Sequence, residues 1–148
     1  MHIVKNIDQY NGDHVYFCEP IKNNIMNNGN FIRIIYSTPL CVLNGIYLFI
    51  SISYTSIDKY YNKYKCTFDI NYHKELIENL RNIEQNILKK ININDKIPQY
   101  KIYEQFKNGN IKFFSDNMEK INNTFLLKIA GIWETNNEYG LTYKFIHV

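Results

Sequence analysis

Apolar residues recur at three- and four-residue spacing in one long segment. In YHKELIENLRNIEQNILKKI, residues 72–91, Leu76, Ile77, Leu80, Ile83, Ile87, Leu88 and Ile91 fall on one stripe, which predicts a single amphipathic helix. Asn71 is placed to cap it, with Glu75 and Glu78 early and Lys89 and Lys90 late, as the helix dipole favours. Elsewhere the pattern is that of strands. Segments 31–37, 45–54, 64–70, 99–104, 111–114, 124–133 and 139–147 are rich in β-branched and aromatic residues and are predicted as strands. In the last two, Phe125, Leu127, Ile129 and Trp133 share one face, as do Tyr139, Leu141, Tyr143 and Phe145.

Turn residues divide these segments. Asn27-Asn28-Gly29, Asn44-Gly45 and Asn108-Gly109 predict hairpins, and ETNNE at 134–138 predicts a short loop closing a terminal hairpin. The expected fold is mainly β with one long helix, an α+β arrangement. It is either a small oligonucleotide-binding-like β-barrel, with its helix after the third strand, or a curved antiparallel sheet packed on one helix. A single domain spanning 1–148 is expected, with 1–30 an arm or an added strand and 31–148 the barrel-like core.

Composition qualifies this picture. Ile, Asn, Lys and Tyr number 24, 22, 15 and 13, half the chain, so codon usage weakens arguments from overall content. The density of Ile and aromatic residues still excludes a disordered tail. Net charge is only +3, but residues 59–70 hold 3 basic groups against 1 acidic, while every other stretch is nearly balanced. Cys18, Cys41 and Cys66 stand too far apart for a C-x-x-C pair, so neither a disulfide framework nor a structural zinc site is expected. The opening residues lack the apolar run of a signal peptide, and the longest apolar stretch, 40–53, is interrupted by Asn44-Gly45; neither secretion nor a membrane partner is expected.

Catalytic patterns are missing from the sequence. It has no phosphate-binding or dinucleotide glycine loop and no nucleophile elbow, and His2, His14, His73 and His147 lack ligand spacing. A non-enzymatic protein without metal or cofactor is expected. Glu78 and Glu84 fall among Lys74, Arg81 and Asn82 on the polar helix face and read as solvated.

The stretch DKYYNKYKC, 58–66, interleaves Lys59, Lys63 and Lys65 with Tyr60, Tyr61 and Tyr64. Single strands of nucleic acid present phosphates and flat bases, which lysines and aromatic rings respectively bind. A solvent-exposed loop in a Lys- and Tyr-rich chain has the same composition. In a strand, Lys63 and Lys65 share one face, and Tyr64 and Cys66 the other. Arg33 in FIRIIYS, and a second set that includes Lys101, Tyr103, Lys112 and Phe114, extend the candidate nucleic-acid surface. Lys128 and Lys144 lie on the non-aromatic faces of the terminal strands, whereas Trp133 and Tyr143 read as core.

The closing segment FLLKIAGIWETNNEYGLTYKFIHV from Phe125, with FIRIIYST at Phe31 and the helix ahead of the final strands, resembles short proteins of large nucleocytoplasmic DNA viruses. The layout is also similar to that of single-stranded DNA-binding proteins of tailed phages. That resemblance implies an oligonucleotide-binding barrel holding single-stranded DNA, rather than RNA, during viral replication, recombination or packaging. It would act in the host cytoplasm or viral factory, with carriage in the virion and homo-oligomer formation both compatible with it. Such phage proteins end in an acidic tail that recruits partners, whereas this chain ends Lys144-Phe145-Ile146-His147-Val148. The alternative expectation is a virion or assembly protein that uses exposed sheet edges.

Overall fold

The computed structural model describes residues 5–23, 29–61, 63–115 and 123–147. Three short strands come first: β1 (Lys5–Asn6), β2 (Val15–Phe17) and β3 (Ile21–Asn23). They are followed by β4 (Gly29–Ser37), β5 (Val42–Asn44), β6 (Ile46–Ser51), β7 (Tyr54–Tyr60) and β8 (Lys63–Phe68). Helix α1 (Lys74–Ile91), β9 (Ile97–Gln99), helix α2 (Lys101–Lys107), β10 (Asn110–Phe113), β11 (Thr124–Glu134) and β12 (Glu138–His147) follow among the described residues.

The architecture is mainly β, a curled half-barrel sheet with two helices. β11 is its spine. It pairs along one side with β12, and along the other with β6 over its first half and β4 over its second. β2, β3 and β5 add to β4, and β1 adds to β6. β7, β8 and β10 form a second, three-stranded sheet, joined to β12 by a bridge between Phe114 and Ile146. The described part of 1–30 therefore forms added strands, and Val15 is fully buried.

Helix α1 buries Ile77, Leu80, Ile83, Ile87 and Leu88 as its periodicity requires. Its N-cap is His73 and not Asn71, and no side chain bonds the cap. Asp69 Oδ1 instead accepts from the Asn71 N–H at 2.8 Å. His73 is buried with both ring nitrogens used: Nε2 accepts from the Ser53 N–H at 3.0 Å and Nδ1 lies 2.7 Å from the Asp69 carbonyl oxygen.

Segment 99–104, expected as a strand, is divided between the end of β9 and the first turns of α2. Its short apolar pattern fits either period. Burial of Ile102 and Phe106 one helical turn apart decides for helix. Asn108-Gly109 consequently closes α2, and Asn44-Gly45 carries the chain from β5 to β6; neither makes a hairpin. The expected strand 45–54 breaks at Ile52-Ser53 into β6 and β7. Asn27 and Asn28 lie outside the described residues.

The terminal hairpin forms nearly over the expected residues, but with one extra residue in β11. The register with β12 shifts between Ile129 and Gly131, leaving Ala130 as a β-bulge. Phe125, Leu127 and Ile129 are fully buried before it, and Ile132 after it. The bulge reverses the phase, so Trp133 lies on the sheet's outer face, half-buried, and not in line with Ile129 as the alternation predicts. Gly131 sits beneath the Phe31 ring, where a Cβ would lie 2.6 Å from Phe31 Cζ and against the Ile32 carbonyl oxygen. Gly131→Ala is expected to lower stability by about 2 kcal/mol, read as a shifted urea midpoint at unchanged slope.

Candidate nucleic-acid interface

Strand β12 has a basic groove along one side. Lys63, Lys101, Lys112 and Lys144 line it together with Phe114, Trp133, Tyr143 and Gln105, around a volume of about 380 Å³. Among the described residues no carboxylate lines it.

Each wall has a local cause. Lys63 opens β8 just past the turn of the β7–β8 hairpin, with Nζ 5.2 Å from the Phe114 ring centroid. Lys112 lies on β10 directly opposite Lys65. Lys101 is the first residue of α2 and is exposed, and Gln105 follows one turn later. Trp133 stands directly across from Gly140 on β12; a Cβ at Gly140 would lie 2.8 Å from indole Cζ2. The missing side chain thus lets the indole cross β12 to the groove. Lys144 stands opposite Lys128, whose Nζ is 5.5 Å from the Tyr47 ring centroid.

The inner wall is built on a buried acid. Glu84, on α1, is fully buried, contrary to its expected solvated position, because α2 packs on that face of α1. Its two oxygens accept from the N–H groups of Ile102 and Tyr103, each at 3.0 Å. The α2 N-terminus is therefore capped by a side chain from another helix, since Tyr100 makes no side-chain cap. Burial pushes the Glu84 carboxyl up to about 7, against the lowering effect of its two backbone hydrogen bonds. Tyr143 packs at the core's rim, where burial, reinforced by Glu84 and Glu104, holds its phenol well above the usual value. Gln105 Nε2 donates to the Tyr143 hydroxyl at 2.5 Å, and Gln105 Oε1 is buried with no hydrogen-bond partner among the described residues.

Of the residues expected from sequence, Lys63, Lys101, Lys112 and Phe114 meet in this groove. Others do not. Tyr64 turns inward and stacks on Phe113 at 5.7 Å between centroids, packed against the core and outside the groove lining. Lys59 pairs with Tyr64 in register and thus lies on the opposite face from Lys63 and Lys65. Lys65 stands between Asp58 and Lys112 on the outer face of the small sheet. Tyr103 lies beneath the Arg81 guanidinium, 5.1 Å from its centroid. Arg33 is exposed on β4 across from Gly131, outside the groove. Tyr61 occupies the hairpin tip, 84% exposed, at a φ of 55° that bulky side chains rarely adopt. The Tyr60 side chain lies outside the described residues.

Gln105 and Thr142, which also line the groove, were not marked by the sequence, and Trp133 was placed in the core. No pattern marks Gln105 once α2 is read as a strand; the bulge that turns Trp133 outward has a single-residue cause. No helix among the described residues is long and apolar enough to cross a membrane. Comparison with protein-family models, curated proteins and solved structures finds no match to this chain.

Proposed function

We propose that the protein binds single-stranded nucleic acid, DNA ahead of RNA, as a non-enzymatic factor in viral DNA replication, recombination or packaging. One observation carries this reading: four lysines and two accessible aromatic rings, Phe114 and Trp133, border one groove without a carboxylate among its described lining. Lysines neutralise phosphates and rings stack bases, the two needs of a single-strand binder. The oligonucleotide-binding-like arrangement belongs to the same proposal, supported by a curled sheet with a helix ahead of its terminal strand pair. The viral setting rests on the sequence resemblance.

Trp133 is the chain's one tryptophan, so the groove carries its own reporter. Titration with oligo-dT is expected to quench Trp133 emission, and four phosphate contacts predict a slope of log K against log salt of about −3. Binding without quenching, or quenching indifferent to salt, would remove the groove from consideration.

A second reading has its own observation. β5 pairs only with β4 among the described strands, and Leu40 and Val42 at this edge are 95% and 68% exposed. Such an edge suits assembly of a virion or scaffold protein. A large homo-oligomer without affinity for oligonucleotides, seen by size-exclusion mass measurement, would favour it.

A further inference from the structure

Five consecutive residues of β12 border the groove: Leu141, Thr142, Tyr143, Lys144 and Phe145. Successive side chains of a strand point to opposite faces, so a groove bordered by all five runs along the strand's edge and not over one face. That edge is open. β9 pairs with β12 as far as Gly140, Phe114 joins at Ile146, and no described strand pairs with the intervening segment on this side.

The ladder fixes where the main-chain groups point. The Phe114 N–H donates to the Phe145 carbonyl at 3.0 Å, and the His147 N–H donates to the Phe114 carbonyl at 2.8 Å. Residues 145 and 147 therefore turn their polar groups away from β11, and alternation turns those of Leu141 and Tyr143 the same way. The Leu141 carbonyl, the Tyr143 N–H and carbonyl, and the Phe145 N–H form an acceptor–donor–acceptor–donor row beside the groove. Gln105 Oε1, a buried acceptor with no partner among the described residues, belongs to the same wall.

We propose that this open main-chain edge hydrogen-bonds the Watson–Crick side of a nucleobase while a neighbouring ring stacks on its face and the lysines hold the adjoining phosphate. The inference rests on the nucleic-acid reading above and adds the element that contacts the base. Every base carries neighbouring donors and acceptors on that side, and unstacked bases are commonly read there with an aromatic ring against their face. The groove's volume lies within the range of small-ligand sites. An added peptide strand fits poorly, because Gln99 and Phe114 occupy the two ends of the lane it would follow, whereas a base enters edge-on.

The test compares, on the intact protein, a short oligonucleotide, an abasic deoxyribose-phosphate chain of the same length, the free mononucleotides dAMP and dTMP, and poly-glutamate. The base-bearing strand is expected to bind on the order of tenfold tighter than the abasic one. Tyr143→Pro and Tyr143→Ala both lose the ring, but only the first loses the outward N–H, at an edge position where proline leaves the β11 ladder intact. Tyr143→Pro should bind the base-bearing strand on the order of fivefold more weakly than Tyr143→Ala, with equal affinity for the abasic chain.

Equal wild-type affinity for base-bearing and abasic strands overturns the inference and leaves the nucleic-acid reading standing; no affinity for either overturns both. Mononucleotide binding as tight as that of the strand supports base recognition and assigns it to a free nucleotide. Tighter binding of poly-glutamate than of any nucleic acid overturns the inference in favour of an acidic protein partner. Should Tyr143→Pro fail to fold, the abasic comparison on the wild-type protein decides.

Discussion

Replacing Lys63, Lys101 and Lys144 together by Glu is expected to weaken oligonucleotide binding by two orders of magnitude or more, with no fall in melting temperature. The binding loss follows from charge, since three cations facing phosphate become three anions that repel it. The absence of a stability loss follows from where these residues sit. Lys101 is exposed at the first position of α2, where an acidic side chain suits the helix dipole better than a basic one. Lys144 stands directly opposite Lys128, a like-charged cross-strand pair that Lys144→Glu converts into an attractive one. The fold thus carries an unfavourable pairing that the binding reading accounts for. Lys22, Lys74 and Lys107, exposed and outside the groove lining, supply a control with the same change in net charge. Equal losses from the two triple variants, measured by fluorescence titration and thermal melting, would show that total charge and not this groove governs binding.

Stability is expected to fall as pH rises from about 5 to 8, and Glu84→Gln to abolish most of that fall. Glu84 titrates near its usual 4.5 in the unfolded chain and near 7 in the fold. Below 4.5 both states hold the proton and neither is penalised. Between 4.5 and 7 the unfolded chain gives up its proton while the native one retains it, so unfolding gains ground as pH rises. Above 7 the native protein carries a buried carboxylate, and the full loss, about 3 kcal/mol, has accrued. For a chain of this size that is a melting-temperature difference on the order of 8 °C. Glu84→Gln retains an oxygen to accept from the start of α2 and has nothing to titrate. A fall in the variant parallel to wild type, followed by calorimetry across the range, would place the effect on another group. Ionisation strengthens the two hydrogen bonds Glu84 accepts but adds the cost of burying its charge, so above pH 7 the packing of α2, which carries Lys101 and Gln105 into the groove, is less favoured.

The parts that were legible in sequence repeat over many residues and depend on no distant partner. Helix α1 shows several turns of apolar period, and the terminal hairpin nearly a dozen alternating positions per strand, so both appear close to their expected bounds. Helix α2 was not legible because its seven residues fit two periods. Burial of Ile102 and Phe106 settles the matter, and the cap comes from Glu84, on a helix more than a dozen residues earlier; neither shows in the local pattern. The burial of Glu84 and the missed helix are thus one error seen twice: an acid looks solvated until the element covering it is known. In the site, Lys63, Lys101 and Lys112 come together because an exposed basic side chain needs only to reach a shared surface. Lys59 and Tyr64 lie away from that groove, since strand alternation separates residues that look clustered in sequence. Trp133 was placed inward by a pattern correct up to Ile129, and one unpaired residue then reverses it.

That unpaired residue is Ala130, the single alanine of the chain. Because the extra residue is taken up in the bulge, β11 stays in phase with β12 on both sides of it, and Ile132 faces inward opposite Leu141 as Ile129 does opposite Tyr143. Deleting Ala130 would leave plain alternation with the same residues inward, so the indole would keep its wet face. Substitutions at 130 would leave it there too. The bulge is thus a place where the strand can change length by one residue without exchanging its wet and dry sides.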